Sequence, residues 1–322
     1  MKYIILFLFV ILLLTGCTNL PGFNTDTTND EGRVPTFVCD DFLPSRGVIA
    51  RFSPDTTQDV INEGEPFSLT LQFANHHKDP LIVDLILTDD SATPGFETIT
   101  RSVTVEEATF IPGFQPGCRV MEQRSLPVLP LGDYVYRNVL YDHDVRFLGT
   151  LSYPGYISES TFPLCIFNPL VGAGERCSTQ ESIIGRSLGP TALYDPITIT
   201  SVKKRLVGSS ETVKIILDIH IENLGQGYVS GASQILTFHI ESFEGLTFDC
   251  ISKNLVSDFG GDTLDLTLTD DVADVTCHAV LSPDRTETYT IATEISYDYE
   301  YTFASKPIKL TKRTQELFDS TT

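Results

Sequence analysis

The stretch Val213-Lys214-Ile215-Ile216-Leu217-Asp218-Ile219-His220-Ile221-Glu222-Asn223 decides the fold class. Val213, Leu217, Ile219 and Ile221 fall on one side of it, and Lys214, Asp218, His220 and Glu222 on the other. Period two is the repeat of an extended strand with one buried and one solvated face. The alternation recurs. Phe67, Leu69, Leu71 and Phe73 alternate with Ser68, Thr70 and Gln72, and Leu264, Leu266 and Leu268 with Asp265, Thr267 and Thr269. Long stretches with helical spacing are missing, and clusters of Gly, Pro, Asn and Asp separate the apolar runs. The chain is therefore expected to be all-β, with antiparallel sheets packed as sandwiches.

An internal repeat organises these strands. Phe67–Phe73 runs into Ala74-Asn75, a polar turn, and then Leu81 to Leu87. Val213–Ile221 runs into Glu222-Asn223, the turn Leu224-Gly225-Gln226-Gly227, and a strand from Tyr228. Further on, Leu151-Ser152-Tyr153 precedes Pro163-Leu164 as Ile295-Ser296-Tyr297 precedes Pro307-Ile308, with the same Tyr-to-Pro interval. Two tandem homologous domains are expected, at 45–167 and 191–312, each near the ~100-residue size of an immunoglobulin-like sandwich. A strand ending in Asn, a Gly-bearing turn and a returning strand resembles the CARDB-type adhesion domains of prokaryotic surfaces. That resemblance implies immunoglobulin-like modules. Two departures stand out: His76-His77-Lys78-Asp79 replaces the Gly turn in the first copy, and Trp is absent, so no Cys-Trp-Cys core can form. In the 168–190 linker, Ser178-x-x-Glu181 has the capping-box pattern and Gly185 could close a helix, predicting a short one over Thr179–Ile184.

The N-terminus reads differently. Lys2 leads into an apolar run from Tyr3 to Leu14 that ends in Leu14-Thr15-Gly16-Cys17. A membrane-spanning helix needs about 20 apolar residues, so this shorter run fits a signal peptide. The ending resembles the lipobox of prokaryotic lipoproteins, in which the Cys is acylated on sulfur and becomes the mature N-terminus. The resemblance implies a signal peptide at 1–16, lipidation of Cys17, and export to the extracytoplasmic side of the membrane. Thr18 to Arg33, rich in Asn, Thr, Asp and Gly, reads as part of a flexible tether over 17–44. Residues 313–322 read as a polar tail.

Charge and cysteines narrow the partners. Asp and Glu number 43 against 22 Lys and Arg, a formal charge of -21. Such a surface repels phosphate backbones, so nucleic acid is excluded as a partner. Of seven cysteines, six remain if Cys17 takes the lipid. An even number in an exported chain reads as disulfides with fifteen possible connectivities. The preferred set is Cys39–Cys118, Cys165–Cys177 and Cys250–Cys277, which keeps each pair inside one domain or linker.

Motifs of chemistry find little support in their context. Gly185-Arg186-Ser187-Leu188-Gly189 matches the G-x-S-x-G of serine hydrolases but sits in a linker before Pro190, without α/β alternation. Asp258-Phe259-Gly260 lacks the other kinase motifs, and Gly172-Ala173-Gly174 lacks a nucleotide-binding context. Asp89-Asp90 and Asp270-Asp271 with Asp274 could hold Ca²⁺, though solvated turns are the plainer reading. His76-His77 reads as an exposed turn. Tyr297, Tyr299, Tyr301 and Phe303 alternate with polar residues and read as a core-facing sheet edge. No cofactor, metal site or catalytic residue is expected. The functional expectation is a non-catalytic, membrane-anchored surface lipoprotein. It would serve adhesion, envelope structure or a membrane complex, with an envelope or extracellular protein as partner. The alternative is a surface-anchored hydrolase using acidic residues.

Overall fold

In the strand Val213–Asn223, Val213, Ile215, Leu217, Ile219 and Ile221 are all buried, as the alternation requires. The computed structural model describes residues 36–39, 46–52, 59–75, 77, 80–91, 96–105, 118–125, 134–170, 177–189, 194–209, 211–231, 234–242, 246–256, 260–281 and 287–313. Within them the chain is all-β, in several largely antiparallel sheets. No described helix is long and apolar enough to cross a membrane.

The largest sheet runs in the order Thr263–Thr267, Ile235–Ile240, Glu287–Ala304, Phe147–Ile166, Leu81–Asp89, Ile99–Val105, with Tyr228–Val229 also on Glu287–Ala304. A five-stranded sheet runs Gln180–Ile184, Ile197–Gly208, Val213–Asn223, Val272–Leu281, Asp249–Ser252. A four-stranded one runs Thr36–Cys39, Cys118–Ser125, Thr70–Asn75, Val48–Phe52. Ile308–Thr311 lies between His143–Val145 and Val60–Asn62, parallel to the latter, and Pro66–Phe67 pairs with Tyr134–Val135.

Two long strands join the halves of the chain. Phe147–Ile166 and Glu287–Ala304 pair antiparallel from Leu148 opposite Ala304 to Ile166 opposite Glu287. One irregularity interrupts the register, between Tyr153 and Tyr156. Pro154 offers no N–H to the ladder and Gly155 takes φ +64°, so the pair forms a bulge. The phase of burial changes there. Before the bulge Phe147, Gly149, Leu151 and Tyr153 face inward; after it Tyr156, Ser158, Ser160, Phe162 and Leu164 do. On the partner strand Ile291, Thr293, Ile295, Tyr297 and Tyr299 stay buried without a break.

Three sequence expectations are corrected. No helix forms over Thr179–Ile184: Gln180–Ile184 is a strand paired with Ile197–Gly208, followed by a 3₁₀ turn at Gly185–Leu188. Ile183 is buried there, and Ser178 Oγ accepts from Gln180 N while donating to Gln180 O, a local turn in place of a helix cap. The run Phe67–Phe73 is two strands, Pro66–Phe67 and Thr70–Asn75, that pair in different sheets. Tyr297 and Tyr299 have paired neighbours on both sides and do not lie at a sheet edge, while Tyr301 and Phe303 pair on one side with Leu151 and Gly149.

Asn75 and Asn223 each make the same side-chain bond to the amide two residues on. Asn75 Oδ1 accepts from His77 N at 2.9 Å, and Asn223 Oδ1 accepts from Gly225 N at 3.1 Å. Each Nδ2 donates to a backbone carbonyl, Val105 O or Gly227 O. Side-chain carbonyls that bind the amide two residues on are how Asn ends a strand in a turn.

Gly149 shows how tightly the long strands pack. It lies opposite Phe303, whose ring covers it so closely that a Cβ at Gly149 would collide with the ring. Phe303 in turn meets Phe52 of the four-stranded sheet at 5.3 Å between ring centroids. Gly149→Ala is expected to lower unfolding stability by about 1–3 kcal/mol, the usual cost of overpacking, when measured by urea denaturation. Unchanged stability would mean that the Phe303 ring can yield to the added methyl without loss of packing.

Candidate functional site

The bulge turns both Tyr153 and Tyr156 inward, where they meet Tyr297 and Tyr299. Ring centroids lie 5.2 Å apart for Tyr153–Tyr299 and 5.3 Å for Tyr156–Tyr297. Two of these hydroxyls pin the backbone. Tyr297 OH accepts from Ile197 N at 3.2 Å and donates to Ile197 O at 3.3 Å, while Tyr299 OH accepts from Gly227 N and donates to Asn223 Oδ1. Gly227 lies so close to Glu300 that any side chain there would strike the carbonyl.

Asp195 sits beneath this cluster, fully buried. Its Oδ1 accepts from Tyr156 OH at 2.7 Å, and His77 Nε2 lies 4.0 Å from the same oxygen. Arg46 donates to the Asp195 backbone carbonyl at 3.3 Å. Tyr153 OH has no hydrogen-bond partner among the described residues. Burial raises the carboxyl's pKa above its ordinary 3.8, and the Tyr156 hydrogen bond works in the opposite direction. His77 stacks edge-on against Tyr156 at 5.6 Å and is only 13% exposed, so it is a packed residue and not the exposed turn expected. His76 lies outside the described residues.

A second polar group occupies the outer face of the five-stranded sheet. His220 Nδ1 lies 2.6 Å from Asp274 Oδ1, and Nε2 lies 2.8 Å from Glu222 Oε1. Lys253 reaches Asp274 Oδ2 at 3.3 Å. The Asp274 hydrogen bond lifts the imidazole pKa above 6.5, and partial burial opposes it without cancelling it. The reciprocal bond from His220 holds Asp274 below 3.8. Ser201, His220 and Asp274 stand opposite one another on three adjacent strands, along a shallow pocket of about 380 Å³. The row resembles a Ser-His-Asp triad only in composition. Two carboxylates facing the ring nitrogens favour the imidazolium, which has no lone pair to take a proton from Ser201.

The remaining sequence candidates fall as follows. Disulfides join Cys165 to Cys177 and Cys250 to Cys277, the second across the neighbouring strands Asp249–Ser252 and Val272–Leu281. Backbone register sets Cys39 opposite Cys118. Cys17, Gly172 to Gly174, Asp258 and Phe259 lie outside the described residues. The G-x-S-x-G stretch forms the 3₁₀ turn, with Leu188 fully buried, and no strand-to-helix elbow. The acidic pairs are engaged internally. Asp89 Oδ2 accepts from Tyr136 OH at 2.6 Å and Asp90 Oδ1 from Arg146 N at 2.7 Å. Asp270 and Asp271 adopt φ +53° and +64° between Thr269 and Val272, which bond to each other through both backbone pairs. This is a two-residue turn of the kind that favours Asp and Asn. Among the described residues no group of three or more His, Cys, Asp and Glu is arranged to hold a metal ion.

No protein-family model matches this chain, and no curated protein matches it. Neither Asp195 nor the Tyr156 contact was singled out by sequence. The available signal was Pro154-Gly155 inside an alternating run, which announces a bulge and therefore two inward tyrosines in place of one.

Two pH experiments separate the sites. His220 carries a raised pKa, so its pairing stabilises the fold below the ordinary value of 6.5. That contribution is lost as pH rises through the folded-state value. His220→Gln should lower the melting temperature most in mildly acidic buffer, with the deficit shrinking at alkaline pH. A deficit that ignores pH would refute the imidazolium assignment. Asp195 works in the reverse sense. An acid with a raised pKa costs stability as pH climbs above its ordinary range. Asp195→Asn keeps an oxygen for the Tyr156 hydroxyl, so it should gain on the wild type as pH rises from the ordinary carboxylate value of 3.8 toward the raised folded-state value. Chemical denaturation showing a constant difference over that range would count against the buried-acid reading.

Proposed function

We propose that the chain is a non-catalytic surface lipoprotein, lipidated at Cys17. It would hold two immunoglobulin-like, CARDB-type modules on the extracytoplasmic side of a membrane, for adhesion, envelope structure or a membrane complex. The observation that carries this reading is the short apolar run closing on Leu14-Thr15-Gly16-Cys17. Two features of the folded part support it. The Cys165–Cys177 and Cys250–Cys277 disulfides suit an oxidising compartment outside the cytoplasm. The Asn turns at Asn75 and Asn223 share one hydrogen-bond pattern, as duplicated modules would.

Cys17→Ser tests the anchor. The variant is expected to accumulate as an unprocessed precursor or to leave the membrane fraction, as read by fractionation with intact-mass spectrometry. A variant that stays membrane-bound with its N-terminus still cleaved would sink the proposal.

A further inference from the structure

On a chain with 43 acidic and 22 basic residues, a cleft lined by three cations is notable. Arg137, Lys312 and Arg313 line a cleft of about 870 Å³, together with Glu63, Gly64, Tyr136, Asn138 and Asp142. Three separate segments converge there. The turn after Val60–Asn62 is tied in by Glu63 N donating to Thr311 O at 2.9 Å and Gly64 N to Tyr136 O at 3.0 Å. Asn138, at φ +60°, sets the path of the segment carrying Arg137.

The carboxylates of this cleft are turned to the backbone. Glu63 accepts from Val139 N at 3.1 Å through Oε1 and from Arg313 N at 3.2 Å through Oε2. Asp142 Oδ1 accepts from Lys312 N at 2.9 Å. Lys312 Nζ donates to Leu140 O at 3.5 Å, a long contact. Among the described residues the guanidinium groups of Arg137 and Arg313 have no ion pair and no hydrogen bond. Arg313 Nη1 lies against Gly64, where a Cβ would be 3.6 Å away. Leu140 and Tyr141, 64% and 62% exposed, follow closely in the same segment.

Arg137, Lys312 and Arg313 outnumber the two lining carboxylates, which accept from backbone amides, and the two open guanidinium forks match the chemistry of an oxyanion. Exposed Leu140 and Tyr141 offer an apolar surface beside it, suited to the face of a sugar ring. We propose that this cleft binds an oxyanion, a carboxylate or phosphate, carried on an acidic saccharide or free in solution. The site gives the surface-binding reading a ligand class, and it does not depend on the lipid at Cys17.

The test is calorimetric titration of the full-length chain in detergent with tri-galacturonate and, separately, with inorganic phosphate. Saturable binding is expected, weakening as salt is added. Arg137→Gln and Arg313→Gln should each weaken it by about tenfold or more, the effect of losing a charge-assisted hydrogen bond. Circular dichroism should remain unchanged, since both side chains are exposed. Tri-galacturonate binding lost in both variants supports a saccharide-borne ligand, while phosphate binding alone, lost in the same way, supports a small free anion. No saturable binding of either probe, or binding that both variants retain, overturns the site. The Cys17→Ser result is read separately, so failure of the anchor and failure of the cleft are distinguishable.

Discussion

Pairing between Phe147–Ile166 and Glu287–Ala304 is the constraint on which the rest depends. Each strand comes from a different half of the chain, and each brings an inward apolar row that has to be covered. Set side by side, they form a continuous sheet across both halves and carry Leu81–Asp89 and Ile235–Ile240 on their outer edges. The repeated residues meet in this pairing. Tyr153 lies opposite Tyr299 and Tyr156 opposite Tyr297, so tyrosines of the two long strands meet ring to ring. The bulge at Pro154-Gly155 makes that possible by bringing a second tyrosine of the first strand inward.

Charge is handled in opposite ways inside and outside this framework. Asp195, sealed beneath the tyrosines, is pushed toward its neutral form because burial disfavours the carboxylate. Lys204 is as deeply buried but keeps partners, donating to Glu181 Oε2 at 2.7 Å and to Cys165 O at 3.0 Å. It thereby ties the strand after the linker to the first long strand, beside the Cys165–Cys177 bridge. His220 is solvated enough to remain charged between two carboxylates, and solvent screening limits what such partly exposed pairs add to stability. The Arg137–Arg313 cleft differs from both. Its cations stay solvated while nearby acids serve backbone amides.

Local pattern made much of the fold legible. Alternation at Val213–Ile221 and Leu264–Leu268 marked strands and their inward faces, and Cys165–Cys177 and Cys250–Cys277 followed from keeping pairs local. The linker was less readable. Ser178 and Glu181 have a helix-cap spacing, yet Ile183 finds a buried position on the edge of a sheet, and tertiary burial outweighs a local capping preference. Asp89 and Asp90 looked like candidate cation ligands because the sequence cannot tell that Tyr136 and Arg146, dozens of residues away, supply their donors.

By itself the sequence determined the class of structure, the inward face of most strands and the Asn-ended turns, since these follow from period-two alternation and from bonds between near neighbours. The tertiary structure alone decided the long-range strand partners. It joined the halves through one sheet, brought Asp195 under Tyr156, and gathered Arg137 and Arg313 into one cleft. The two long strands are chosen as partners by burial and backbone hydrogen bonding between segments more than a hundred residues apart, and no local pattern encodes that choice.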